Sequence, residues 1–154
     1  MSDGQSTSPP RGEVGGAERR RVGTPTQPSH SKAWAWLGLE LVESGDGAAI
    51  VEMTPTEDMA NVSGFVHGGM ISALADSAMG RSVRTVQPAV VRAMSFDLKL
   101  SFINAARIGE TLRASGKVIH AGRRTVVAEC RVEGKGGRLI ATASATFAVS
   151  REKE

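Results

Sequence analysis

Residues 67–88 read HGGMISALADSAMGRSVRTVQP, and the spacing of their apolar positions decides the fold class. Stepped at about 100° per residue from Met70, one half of the stretch collects Met70, Ile71, Leu74, Ala75, Ala78 and Met79, which is the periodicity of a helix. The other half holds Ser72, Ala73, Asp76, Gly80 and Val83. That second face is small rather than charged, so it suits close approach by another backbone or a ligand better than open water. The pattern predicts a helix over 68–86, entered through two glycines and ended by Gln87-Pro88, because a residue before proline is pushed away from helical backbone angles.

After the helix the period falls to two. Met94, Phe96, Leu98, Leu100 and Phe102 alternate with Ser95, Asp97, Lys99 and Ser101, which predicts a strand with one wet face. Leu112, Ala114, Gly116 and Val118 form the next apolar row, and Ala121-Gly122-Arg123 turns the chain into Val126, Ala128, Cys130 and Val132. Gly134-Lys135-Gly136-Gly137 leads into a last strand over 139–149. It reads as a turn and not a phosphate loop, since no Ser or Thr follows and it joins two strands. Upstream, Trp34, Trp36, Leu37, Leu39 and Leu41 open the apolar part of the chain, and Gly45-Asp46-Gly47 supplies turn chemistry before 48–53. This is an opening hairpin whose first arm reads equally as partly helical. Residues 54–65, broken by Pro55 and Gly64, form a loop. Two strands, a helix and four strands with mostly short turns give an α+β fold: an antiparallel sheet with one long helix packed on it.

The chain has 154 residues, 40% of them hydrophobic and 23% charged, which fits one domain with a real core. No apolar run approaches the roughly 20 residues of a spanning helix, and no signal-peptide core follows Met1. The lone Cys130 has no disulfide partner, and His30, His67 and His120 are too scattered for a zinc cage. A cytoplasmic, metal-free protein that does not bind membranes is expected. The net charge of +3 arises mostly in residues 1–32, so the body lacks the basic stripe and the stacking aromatics of a nucleic-acid binder. Residues 1–31, poor in large apolar side chains, read as a disordered basic tail in which Arg19-Arg20-Arg21 is a solvated cluster. Residues 32–150 read as the folded domain and 151–154 as a charged end.

The chemistry concentrates between Asn61 and Asp76. Gly68 and Gly69 leave the first helical N–H groups unshielded by any Cβ, so an anion or a developing oxyanion can sit against them; alternatively they only permit a tight entry. Asp76 lies on the small face of an apolar helix, where an unpaired carboxylate is costly. It must reach a solvated pocket or pair with Arg81, Arg84 or a backbone amide. Eight residues separate it from Gly68, about 12 Å along the axis. One carbonyl cannot touch both groups of the same helix, so joint action requires a second copy lying antiparallel. His67 reads as an orienting residue, with general base as the alternative. His30 and His120 receive no role.

Asn61, His67-Gly68-Gly69, Asp76 and Gly80, followed by residues 95–106 and Gly109, resemble the PaaI-type acyl-CoA thioesterases of the hotdog superfamily. The resemblance spans residues 37–149 and implies an antiparallel sheet wrapped around a central helix, as well as hydrolysis of an acyl-CoA to a free acid and CoA. It implies Gly68 as oxyanion donor, Asp76 of the partner subunit as base or nucleophile, and Asn61 positioning water or the carboxylate. It also implies His67 holding the loop and Ser95 near the attacking water. Gly69 and Gly80 would line the substrate, and Arg123, Arg124 or Arg138 would meet the CoA phosphates. No cofactor is implied beyond the CoA of the substrate. The partners are a second copy of the chain and, commonly, a further dimer. Some hotdog thioesterases carry Glu at the acidic position and a hydroxyl residue at that of Gly80. Aromatic and medium-chain acyl groups both fit an apolar pocket. A non-catalytic acyl-CoA-binding module is the alternative, and a hotdog dehydratase or hydratase a third reading whose His and acid arrangement is absent.

Overall fold

The computed structural model describes residues 31–86 and 89–151. A short helix α1 (Lys32–Trp36) leads into strands β1 (Glu40–Gly45) and β2 (Ala48–Met53), so the opening arm is part helix and part strand. Asp46 and Gly47 both take positive φ, 49° and 76°, which matches the twist of a tight hairpin turn. The central helix α2 (Gly68–Val83) precedes β3 (Val90–Phe102), β4 (Leu112–Ala121), β5 (Thr125–Glu133) and β6 (Leu139–Arg151). The expected disordered tail, with its Arg19-Arg20-Arg21 cluster, lies outside the described residues except Ser31, whose hydroxyl accepts the Trp34 N–H and caps α1. The charged C-terminal end also lies outside them, except Arg151, which closes β6.

All strand pairs are antiparallel, in the order β1-β2-β4-β5-β6-β3, with α2 packed on one face. Ile71, Leu74, Ala75, Ala78 and Met79 of α2 are buried against Val51, Met53, Leu112, Val126, Val132 and Ile140. Gly116 is where the helix backbone meets the sheet: a Cβ there would stand 2.6 Å from the Ala78 carbonyl oxygen. Val83 does not belong to the small face, as its sequence position had implied, but is fully buried. The reason is angular, since four residues advance a helix by only about 40°, placing Val83 beside Met79.

The helix stops three residues short of the expected end. Thr85 Oγ1 donates to the Ser82 carbonyl at 2.7 Å and accepts the Gly47 N–H at 2.8 Å. The chain thus leaves α2 to tie its C-terminal end to the β1–β2 turn. Gln87 and Pro88 lie outside the described residues.

Strand β3 departs most from its sequence pattern. It does not pair with its chain neighbour β4 but crosses to the far edge beside β6. The register slips between Ser95 and Asp97, so Phe96 is the surplus residue of a bulge. Inward-facing Ala141, Ala143, Ala145 and Phe147 pair with Phe102, Leu100, Leu98 and Ser95. The expected single apolar face of Met94, Phe96, Leu98, Leu100 and Phe102 is therefore broken at the bulge. Ser95 joins the helix-facing row and Met94, opposite Ala148, leaves it. Nor is there one wet face: Val91, Met94, Phe96 and Phe102 are all substantially exposed, Met94 by 72%. Among the described residues no helix is long and apolar enough to cross a membrane.

Candidate active site

The first turn of α2 leaves one amide over. An α-helix begins with unpaired N–H groups, and here three of the four have acceptors. The His67 N–H donates to the Met59 carbonyl at 2.8 Å, and the Met70 N–H to the His67 carbonyl at 2.9 Å. The Gly69 N–H donates to Nδ1 of His67 at 2.9 Å. The Gly68 N–H has no acceptor among the described residues. It sits half-buried at the positive end of the helix dipole, where a partly negative oxygen is favoured. His67 Nδ1 is thereby occupied as the N-cap acceptor of α2.

Asn61 shapes the approach to this turn. Its Oδ1 accepts the N–H groups of Ser63 at 2.9 Å and Phe65 at 3.2 Å, and its backbone N–H donates to the Phe65 carbonyl at 2.7 Å. The side-chain oxygen is thus engaged in the loop, leaving Nδ2 as the group able to face a ligand. Gly69 follows as the amide spent on the cap.

Asp76 stands two helical turns further on. Its Oδ1 is buried and has no hydrogen-bond partner among the described residues. Neither arginine that the sequence offered as a partner is paired with it. Arg81 lies 4.9 Å over the Trp34 ring centroid, and Arg84 Nη1 donates to the Val91 carbonyl at 3.3 Å. Burial, and then the neighbouring Arg84 charge, lowers the pKa of Arg81 from its ordinary value. Ser95 belongs to this same half of the helix: it pairs with Phe147, whose ring lies 3.7 Å from where a Gly80 Cβ would be. The candidate residues thus fall into two groups along α2, with Asn61, His67, Gly68 and Gly69 at its start and Asp76, Gly80 and Ser95 beyond.

The three arginines separate as well. Arg138 is at the Gly68 end, but its guanidinium is committed, donating to Glu110 Oε1 and to the Ala105 carbonyl, each at 2.7 Å. It braces the loop that pairs with Val66, through the Val66 N–H to the Ala106 carbonyl. Burial of Glu110 pushes its pKa up, but hydrogen bonds from the Arg107 backbone and from Arg138 outweigh it and hold the carboxyl below its ordinary value. Arg123 and Arg124 lie exposed in the β4–β5 turn, at the end of the sheet where α2 terminates. Among the described residues no three His, Cys, Asp or Glu side chains are grouped to hold a metal.

Phe102 was read from the sequence only as a strand residue. Its Cζ lies 3.0 Å from the position of a Gly68 Cβ, with Cε1 and Cε2 at 3.4 and 3.5 Å. The available signal was direction: β3 runs back along α2, so its last residue returns to the helix start. A depression of about 540 Å³ beside Ile50, Ser115, Lys117 and Thr142 includes none of the candidate residues.

A family model described as the thioesterase superfamily matches residues 63–141, from the loop before His67 into β6. The chain belongs to the thioesterase superfamily. Acyl-coenzyme A thioesterase PaaI of Escherichia coli strain K12 is 29% identical to it over 105 residues, 68% of this chain and 73% of the relative. The solved structure of conserved protein PA5202 from Pseudomonas aeruginosa matches with a TM-score of 0.73 at 31% identity, covering 78% of this chain and 94% of that one. That of smu.793 from Streptococcus mutans UA159, bound to acetyl CoA, matches with a TM-score of 0.69 at 25% identity, covering 75% and 91%. The protein is a PaaI-type thioester hydrolase with the hotdog fold.

Proposed function

We propose that this thioesterase hydrolyses an acyl-CoA to a free acid and CoA at sites shared between two antiparallel copies of the chain. The observation that carries the reading is the buried Asp76 Oδ1 with no partner among the described residues. A carboxylate oxygen kept from water and from donors is unfavourable unless something completes its surroundings. A second protomer with its bound substrate and water does so. The names of the relatives supply the acyl-CoA: PaaI of E. coli is an acyl-coenzyme A thioesterase, and smu.793 was solved with acetyl CoA. The exposed apolar edge β3, with Val91, Met94 and Phe96, offers the second copy a surface to cover.

In this reading the thioester oxygen accepts the Gly68 N–H of one protomer, and Asp76 of the partner subunit takes a proton from water. The water oxygen bonds to the carbonyl carbon, the carbon–sulfur bond breaks, and the proton passes to the CoA sulfur. Ser95, in the helix-facing row near Gly80, holds the water from the Asp76 side, and Asn61 Nδ2 from the Gly68 side. Arg123 and Arg124 are free to meet the CoA phosphates, a role Arg138 gives up to Glu110. Two dimers pairing into a tetramer complete the assembly.

The test is CoA release from aryl- and fatty-acyl-CoA esters by the wild type, Asp76→Asn and Gly68→Pro. Proline suits the first helical position and removes the N–H, and the extended backbone of His67 (φ −63°, ψ 135°) accommodates it; because its Cβ also meets Phe102 Cζ at 3.0 Å, Gly68→Ala, which keeps the N–H, is the steric control. Asp76→Asn and Gly68→Pro alone are each expected to lose activity by about a hundredfold or more. Refolded as an equal mixture, they should recover about a quarter of wild-type turnover, since half the dimers then hold one complete site of two. Acyl-CoA binding without turnover by the wild type would favour the binding module, and no recovery in mixed dimers would overturn the shared site.

A further inference from the structure

We infer that Glu110 is a positioning residue for the Gly68 amide: paired with Arg138, it fixes the residues on both sides of Ala106, and the Ala106 carbonyl in turn holds Val66, two residues before Gly68; this rests on the acyl-CoA thioesterase reading above, in which that amide receives the thioester oxygen. Glu110 Oε1 accepts the Arg107 N–H and Arg138 Nη2, each at 2.7 Å, and Arg138 Nη1 donates to the Ala105 carbonyl at 2.7 Å. Ala106, between the two anchored residues, is fully buried. Its carbonyl accepts the Val66 N–H at 3.0 Å, and Arg107 bridges Phe65 through its backbone. His67 follows with its own N–H on the Met59 carbonyl at 2.8 Å, so the chain reaches Gly68 with the backbone of Phe65, Val66 and His67 already tied down.

Glu110 is seated in the fold. Its side chain is only 12% exposed, against 36% for Arg138, and its Oε2 lies 3.2 Å from where a Gly134 Cβ would stand, which sets the carboxylate against the turn between β5 and β6. A carboxylate accepting a guanidinium and a backbone N–H in such a seat holds its geometry more firmly than an exposed surface pair does. The Gly109 N–H, on the Pro55 carbonyl at 2.9 Å, fixes the other end of the same loop. For catalysis the consequence is one of aim. An oxyanion donor is effective only at about 2.7–3.1 Å from the developing charge, and a displacement of about 1 Å costs on the order of a hundredfold in rate. Removing the carboxylate frees residues 105–107, and Val66 with them, so the Gly68 N–H loses its direction. The loss falls on kcat, because the hydrogen bond from that amide strengthens most in the transition state.

The experiment measures kcat and KM for CoA release from benzoyl- and octanoyl-CoA, at a temperature where circular dichroism shows every variant folded, for Glu110→Ala in three backgrounds: wild type, Gly68→Ala and Gly68→Pro. In the wild-type background the substitution is expected to lower kcat by about thirtyfold and to move KM by less than about twofold. The same loss should appear over Gly68→Ala, which keeps the N–H, and shrink to less than about threefold over Gly68→Pro, which has no amide left to misdirect. A brace that only keeps the protein folded would cost the same factor in all three backgrounds, and that outcome would overturn the inference, as would a loss confined to KM or no loss at all. Arg138→Gln removes the same anchor from the other side and carries the test if Glu110→Ala does not fold. A fall of about tenfold in kcat with the same dependence on background supports positioning, whereas a rise in KM alone overturns it by making Arg138 a contact for the CoA phosphates. Absence of CoA release by the wild type from every ester, or a Gly68→Pro variant as active as Gly68→Ala, would sink the reading of the site and the inference with it. A Gly68→Pro variant that loses activity beside a Glu110→Ala variant that does not sinks the inference alone.

Discussion

His67 folds back on Gly69, its Nδ1 accepting the Gly69 N–H at 2.9 Å, and this one bond decides which amide of the helix start remains available. If His67 is the cap and not the base, His67→Ala should cost about 0.5–2 kcal/mol of stability. It should also lower kcat while leaving the shape of the pH–rate profile unchanged. Asn at this position can accept the same N–H, so His67→Asn should recover most of the loss. Disappearance of the acidic limb of the profile in both variants would restore the general-base role.

Gly116 carries the closest contact between helix and sheet. A Cβ there would lie 2.6 Å from the Ala78 carbonyl oxygen and 2.9 Å from the Met79 nitrogen, both backbone atoms that cannot swing aside. Gly116→Ala is expected to destabilise by about 1–3 kcal/mol, which for a chain this size is several degrees of Tm. Thermal unfolding at matched concentration reads it. Because α2 carries both Gly68 and Asp76, activity should fall before the fold is lost.

Cys130 is buried, and its thiol is pushed up to about 12 by burial, against a smaller lowering by a hydrogen bond from the Ser115 backbone. The reactive thiolate is therefore scarce at neutral pH. Reaction with an aromatic disulfide reagent at pH 8 should be slower in the folded protein than in guanidinium by about a thousandfold or more. Comparable rates in the two states would place Cys130 nearer the surface.

The Glu110–Arg138 pair makes stability depend on acid. Glu110 has a folded pKa below its ordinary value, so its contribution is fully present above the unfolded pKa and is lost as pH falls through the folded one. Between pH 7 and about pH 5 the wild type should hold its Tm with respect to this group, and below that window it should converge on Glu110→Gln. At pH 7 the variant should be less stable by roughly 1.5–3 kcal/mol. A constant gap from pH 7 to pH 3 would show that the carboxylate charge contributes nothing.

The elements whose signals are local were legible from the chain itself. Apolar spacing marked α2, the Asp46-Gly47 turn marked the first hairpin, and alternation marked β4, β5 and β6. What escaped depends on partners distant in sequence. Nothing in residues 90–102 says that β6 and not β4 is the neighbour, and the bulge was hidden because Met94 and Phe96 continue the apolar alternation of Leu98 and Leu100. The candidate site residues divide the same way. Gly68, His67 and Asp76 announced themselves by type and spacing, whereas the pairing of Arg138 with Glu110 and the return of Phe102 to Gly68 required the fold. The asparagine was found, but its oxygen proved to be held by Ser63 and Phe65.

The surplus residue at Phe96 changes the phase of β3 part-way along the strand, as a second slip at Val91 does nearer its start. From Leu98 onward, even positions face the helix; at Ala93 and Ser95, odd positions do. The hydroxyl of Ser95 and the ring of Phe102 therefore share a face although seven residues separate them, an odd number that an unbroken strand would send to opposite sides. Deleting Phe96 would leave Ser95 and Phe102 six residues apart on a regular strand and still on one face, so the bulge adds a residue to the exposed edge of β3 without changing which side those two side chains address.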